Sequence, residues 1–419
     1  MQPSVTHEGP DLVLNWGNAT MRLSKVHEHS DGYTAMFHIG ILGVAGLDDG
    51  PIFNSTVQLA GSRSKADAAR ACEKRVPDGF DWLAMIEFAA NLVIEQMEAG
   101  GEIEDLATGE ADMETRYVVP PLLIEQDPTM LYGMGGTGKS LLSMGLSAAI
   151  AGGLSEFCGM PAYVGKVLYL DYEGNAASGR RRLQKITTGL GIESRPHVLY
   201  QRGEASLPSM AAGLARRITQ EKIEVLIVDH AAIACGGDPN AAETANAYFR
   251  ALRSLRLRAS LTVAHRAKAD GQYPLGSIGW WNGPRLIWRA IMSGGDDNAL
   301  HVGLANVKAN EDRKAPPIAL KILFGESITF QREAASKQTA LRPDISTPAQ
   351  IIAAIQELSV GTFSPSRDEA FAHCHSLNGG IRDDTFRRSL QRLVTAGQVR
   401  ERNGRLELLT LPLKGSELF

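Results

Sequence analysis

The sequence predicts an α/β protein built on a parallel sheet, and three observations carry that expectation. Between about residues 117 and 331, short and nearly all-apolar segments alternate with helical stretches, the pattern of strands buried on both faces. One such segment, Met130-Leu131-Tyr132, runs into the glycine-rich turn 133–140 (GMGGTGKS) and on into a helical run. The composition is that of an ordinary globular chain: 419 residues, 44 % hydrophobic and 21 % charged, enough for two or three cores.

Charge and cysteine usage narrow the class. Lysine and arginine total 43 against 47 acidic residues, a formal net charge of −4. That excludes a chain basic throughout and leaves room for a local basic surface. Cys72, Cys158, Cys235 and Cys374 contain no C-x-x-C pair, so neither a disulfide framework nor a zinc knuckle is expected, and a reducing cytoplasm suits them. His373-Cys374-His375 are adjacent and cannot easily converge on one ion. The first residues lack a basic and apolar leader, and the apolar run Leu141 to Leu154 is too short to span a bilayer. A cytoplasmic protein with no membrane partner is the expectation.

The elements follow in chain order. Residues 1–116 form a small α+β N-terminal module. Alternating strands (DLVLNWGNATMRLSKV, YTAMFHIGILGV) turn at Ser30-Asp31-Gly32, and a helix covers about Asp81 to Met97. Its apolar residues read as its own core. An acidic, glycine-containing stretch (GEIEDLATGEADME) reads as a linker to the core, residues 117–332. Nine strands are expected there, MLYG, KVLYLD, HVLYQ, EVLIVD, LTVAH, RLIWRAIM, LHVGLANV, IALKILF and SITFQ, the last few as an antiparallel extension. Residues 333–346 are polar and aperiodic, a second linker. Residues 347–419 carry three helices, the first with Thr347 as candidate N-cap, a turn at Asn378-Gly379-Gly380, and a hairpin turning at Asn403-Gly404. Three helices and a β-wing resemble a winged helix-turn-helix domain.

The glycine-rich turn is where chemistry enters. Gly133, Met134, Gly135, Gly136, Thr137, Gly138, Lys139 and Ser140 match G-x-x-x-x-G-K-S, with Leu141 continuing the helix. Glycines let successive backbone N–H groups turn inward around a triphosphate, and the helix N-terminus adds positive partial charge. Lys139 is expected on the β- and γ-phosphates and the Ser140 hydroxyl on Mg2+, so ATP with Mg2+ is the expected ligand pair. Val225 to Asp229 is an apolar strand ending in a carboxylate, which would hold the metal. Lys166 to Gly174 is another, ending in Asp171 and Glu173; one carboxylate there is needed to polarise the attacking water, and Glu173, beyond the strand, is preferred.

A phosphate loop, a strand ending in glutamate, a strand ending in aspartate and a strand ending in histidine are together similar to the RecA-like P-loop core. The closer resemblance, over about residues 117–331, is to hexameric helicases of the plasmid RepA and DnaB type. It implies that His265, ending Thr262-Val263-Ala264-His265, senses the γ-phosphate. It implies that Lys308 or Arg313 reaches as a finger into a neighbouring subunit's site, although their spacing departs from the family's tighter arrangement and solvated surface charge is the alternative. A homo-oligomeric ring, expected to be a hexamer, and replication proteins follow as expected partners.

Nucleic acid is the other expected partner. Arg250, Arg253, Arg256, Arg258, Arg266, Lys268, Arg285 and Arg289 are opposed between 250 and 289 only by Asp270, a local excess that suits a phosphate backbone. Arg266 and Lys268 sit in the glycine-containing loop after His265 and are the residues expected to track single-stranded DNA. Trp280 and Trp281 either stack bases or anchor packing. In the third C-terminal helix, Arg387 and Arg388 are the candidates for duplex contact. The reading is an ATP-driven ring helicase on single-stranded DNA, serving plasmid, phage or mobile-element replication. The alternatives are a DNA-dependent ATPase that remodels proteins and a nucleotide-switched DNA-binding regulator.

Overall fold

A computed structural model of the chain describes residues 2–8, 11–29, 31–42, 51–76, 78–100, 105, 107, 114–266, 273–296, 298–335, 338, 341, 344–359, 364–378 and 381–409. Two compact units are present: residues 1–114 with 205–222 and 250–256, and residues 115–204 with 223–249 and 257–419. The acidic stretch read as the first linker lies almost wholly outside the described residues.

In the first unit five strands, Ser4–Glu8, Asp11–Trp16, Ala19–His29, Gly32–Ile41 and Phe53–Gln58, form an antiparallel sheet in sequential order. Ala19, Met21 and Leu23 are buried while their neighbours are half-exposed, as period-two alternation requires. Two helices, Ser62–Glu73 and Trp82–Ala99, complete the core; the second starts where Asp81 accepts the Ala84 N–H at 3.0 Å. The first of these helices has no counterpart in the sequence reading, because it buries only small residues, Ala68, Ala69 and Cys72.

The second unit holds a nine-stranded sheet in the order Val198–Arg202, Val167–Asp171, Val225–Asp229, Ala259–His265, Pro128–Gly133, Leu286–Asp296, Ala299–Ala309, Ile318–Phe324, Ile328–Glu333. The first six run parallel and the last three antiparallel. Helix Lys139–Ala151 is buried over most of its length. Its small residues allow that closeness: a Cβ on Gly145 would stand 2.7 Å from the Phe330 ring. No helix among the described residues is long and apolar enough to cross a membrane.

Strand register places the chemistry. Asp171 lies opposite Asp229, and Gly133 opposite His265, so four strand ends open at the same C-terminal edge of the sheet.

Part of the second linker is packed rather than solvated: Leu341 is fully buried and Gln338 nearly so, and a Cβ on Gly303 would stand 2.6 Å from Leu341. An isolated leucine in a polar stretch has no periodicity to announce it. Three helices follow, Thr347–Leu358, Arg367–Asn378 and Asp383–Thr395, and then a hairpin, Val399–Arg402 with Arg405–Leu408. Ile351, Ile355, Phe386, Leu390 and Leu406 form their common core. Asn403 and Gly404 both have positive φ, as a two-residue hairpin turn demands. The N-cap is Ser346 rather than Thr347, without a side-chain capping bond. Gly379 and Gly380 of the expected turn lie outside the described residues.

Candidate active site

The phosphate loop follows strand Pro128–Gly133 and feeds helix Lys139–Ala151. Gly136 and Gly138 take φ of +78° and +80°, the left-handed region where a side chain is strained. Gly133 meets a different constraint, since a Cβ there would lie 2.4 Å from the Ala290 carbonyl oxygen. Lys139 is only 6 % exposed, and its ammonium donates to the carbonyls of Gly133 (3.0 Å) and Met134 (2.6 Å) and to the Thr137 hydroxyl (3.3 Å). Burial pulls its pKa down, opposed by the charges of Asp229 and Glu173. The loop from Gly135 to Leu141 lines a cavity of about 780 Å3 together with Glu173, Asp229, His230, His265, Leu300 and Phe324.

The two expected carboxylates have different surroundings. The Asp171 carboxylate accepts the backbone N–H groups of Glu173 (3.0 Å) and Gly174 (2.8 Å) and the Tyr200 hydroxyl (3.2 Å). Both lone pairs of its Oδ1 are thereby engaged in shaping the loop that carries Glu173. Glu173 lines the cavity with its side chain half-exposed, accessible to water. Asp229 is nearly buried and accepts the hydroxyl of the buried Tyr169 at 2.6 Å. Burial above all, then the Asp229 charge, raises the Tyr169 phenol well above its ordinary pKa, so it stays a donor. The Ser140 hydroxyl and the Asp229 carboxylate offer an oxygen donor set with few protein ligands, which fits a Mg2+ that keeps several waters and phosphate oxygens. Held there, the ion would neutralise phosphate charge.

His265 ends its strand at the cavity, and its ring meets His230 edge-on with centroids 4.5 Å apart. Burial, then His230 and Lys139, lower its pKa, so the ring is neutral near pH 7. Arg266 continues the chain with its N–H on the Gly133 carbonyl (3.2 Å), and the Leu275 N–H returns to the His265 carbonyl (2.8 Å). Lys268 lies outside the described residues.

Two residues central to the site, Tyr169 and His230, escaped the sequence reading. Tyr169 looks like one more apolar strand residue, and its partner lies 60 positions away. His230 had a visible signal, a titratable side chain directly after the strand-end Asp229.

Other expected site residues stand apart. Lys308 donates to the carbonyls of Trp281 (2.8 Å), Asn282 (3.2 Å) and Pro284 (2.7 Å), which holds its ammonium to its own chain. Arg313 is exposed. Of the basic residues between 250 and 289, Arg258 pairs with Glu125, Arg289 with Asp344 and Arg285 weakly with Asp127 and Glu311. The local positive excess is therefore smaller than the residue count implies. Trp280 is 1 % exposed and donates to the Pro239 carbonyl, a packing anchor rather than a base-stacking platform. In the C-terminal helix Arg387 pairs with Asp383, and Arg388 donates to the Asp384 carbonyl.

Residues 102–271, fewer than half of the chain, match the family model described as an AAA domain. Among solved structures, a KaiC-like protein from the hyperthermophilic archaeon Pyrococcus horikoshii OT3 is similar at 13 % identity with a TM-score of 0.38. The similarity covers 53 % of this chain and 99 % of that one. No curated protein matches the sequence. Joined to the strand order and the convergence of Lys139, Ser140, Glu173 and Asp229 on one cavity, the AAA-domain match supports a RecA-like P-loop ATPase core.

Proposed function

We propose that this chain is an ATP-driven motor on single-stranded DNA, acting as a ring helicase, with Glu173 as general base. The supporting observation is the anchoring of the loop after His265. One end hydrogen-bonds the first glycine of the phosphate loop and the other returns to His265 itself. A displacement of His265 as the γ-phosphate departs therefore moves Arg266, its neighbour in the chain, which is hydrogen-bonded to the phosphate loop.

In the chemical step Glu173 accepts a proton from the attacking water, Lys139 neutralises phosphate charge, and the inward N–H groups of the loop hold the triphosphate in line. Arg313, exposed where Lys308 is tied down, is the preferred finger toward a neighbouring subunit. The ion-paired arginines of the C-terminal module lend little to a regulator reading. The test is ATP hydrolysis with and without a homopolymeric DNA oligonucleotide, followed by strand displacement from a forked duplex. DNA stimulation with displacement is the expected result. Hydrolysis indifferent to single-stranded DNA refutes the motor reading and leaves an ATPase of another kind.

A further inference from the structure

We propose that His230 is a positioning residue that holds Glu173 in the attitude of a general base, an inference resting on the reading of Glu173 as that base. His230 Nε2 lies 2.7 Å from Glu173 Oε1, while its Nδ1 lies 3.2 Å from the backbone nitrogen of Ala232. A backbone amide only donates, so Nδ1 accepts and carries no proton. The proton of the neutral ring therefore sits on Nε2 and points at the carboxylate.

The same arrangement uses His230 Nε2 as a donor to Glu173 rather than as a metal ligand. Glu173, His230 and His265 each bring a ligand atom within 4.8 Å of the others, yet a protonated Nε2 has no lone pair for an ion. Glu173 and His230 are joined by a hydrogen bond, and His265 meets His230 only through the edge-on ring contact. Glu173 needs such a partner because its side chain is 52 % exposed on a loop beyond the strand, where water leaves its rotamers open. The His230 side chain is 7 % exposed and wedged against the His265 ring. A buried, oriented donor thus fixes an exposed acceptor, and the edge-on contact ties that donor to the γ-phosphate side of the cavity. The step moves no proton from His230; the proton of the attacking water goes to the Glu173 carboxylate.

Four variants of the full-length protein test this, with turnover and MgATP affinity measured separately. His230→Ala should lower kcat by about 10- to 100-fold with ATP affinity within about twofold. His230→Gln, whose amide N–H replaces the Nε2 donor, should recover most of that loss. His230→Asn can accept from the Ala232 N–H but is too short to reach Glu173, and should stay slow. His230→Ala added to Glu173→Gln should cost nothing further. Wild-type kcat in His230→Ala overturns the proposal. So does rescue by Asn instead of Gln, which would make the ring only a helix cap, or a joint loss of affinity and turnover that Gln does not repair. Normal turnover by Glu173→Gln alone would instead refute the assignment of the base.

Discussion

Replacing Tyr169 with Phe removes one oxygen from a fully packed strand and leaves the ring in place, so no cavity opens. The lost contact is the 2.6 Å hydrogen bond to Asp229, a residue only 5 % exposed. A hydrogen bond to a charged group is worth about 1.5–3 kcal/mol. For a domain of this size each kcal/mol moves Tm by about 2–4 °C, so the expected drop is about 3–12 °C. Tyr248→Phe is the matched control. It removes the same atom from an equally buried ring, but its partner at 2.9 Å is the neutral hydroxyl of Thr262, and about 0.5–1.5 kcal/mol is at stake. Differential scanning calorimetry of both variants in the absence of nucleotide reads the two losses. A Tyr248→Phe protein that loses as much stability as Tyr169→Phe, or a Tyr169→Phe protein with unchanged Tm, refutes the claim that the phenol supports a charged carboxylate.

Lys139→Ala should weaken ATP binding by about 30- to several-thousandfold, the equivalent of about 2–5 kcal/mol for truncating a buried charged partner, as read by equilibrium titration with a fluorescent nucleotide. Arg313→Ala should leave ATP affinity unchanged and reduce hydrolysis only in the assembled state. Mixing it with Glu173→Gln subunits should restore some activity, and no recovery at any ratio would count against a finger acting in trans. Glu333 carries a pH-dependent prediction. Burial works to raise its pKa, but hydrogen bonds from His301 (2.8 Å) and Gln338 (3.3 Å) win and hold it below the ordinary 4.5. A depressed folded-state pKa stabilises above 4.5 and is lost as pH falls through the folded value, so Glu333→Gln should melt below the wild type at pH 7 and converge with it in acid.

The core of the fold was legible because its signals are local. Apolar strands such as Val225-Leu226-Ile227-Val228 and the spacing of glycines in 133–138 are fixed by burial and backbone sterics within a few residues. Which carboxylate would serve as base could be preferred but not explained from sequence. The observation that favours Glu173, the capture of Asp171 by two backbone N–H groups and Tyr200, exists only once the loop is folded. Charge counting overstated the local excess for the same reason. Arg258 lies 133 positions from Glu125, and Arg289 lies 55 from Asp344; pairings at such separations reduce a local excess that looks larger in one dimension. Lys308 is a third case, since a lysine that caps three backbone carbonyls leaves no trace in residue type.

The central claim, that this cavity hydrolyses ATP with Glu173 as its base, is tested most directly by paired measurements on Glu173→Gln: the dissociation constant for MgATP, and the single-turnover rate of γ-phosphate release. The amide preserves shape and removes basicity, so affinity should stay within about threefold of wild type while the rate falls by about 100-fold or more. Release of phosphate at the wild-type rate by Glu173→Gln would contradict the account.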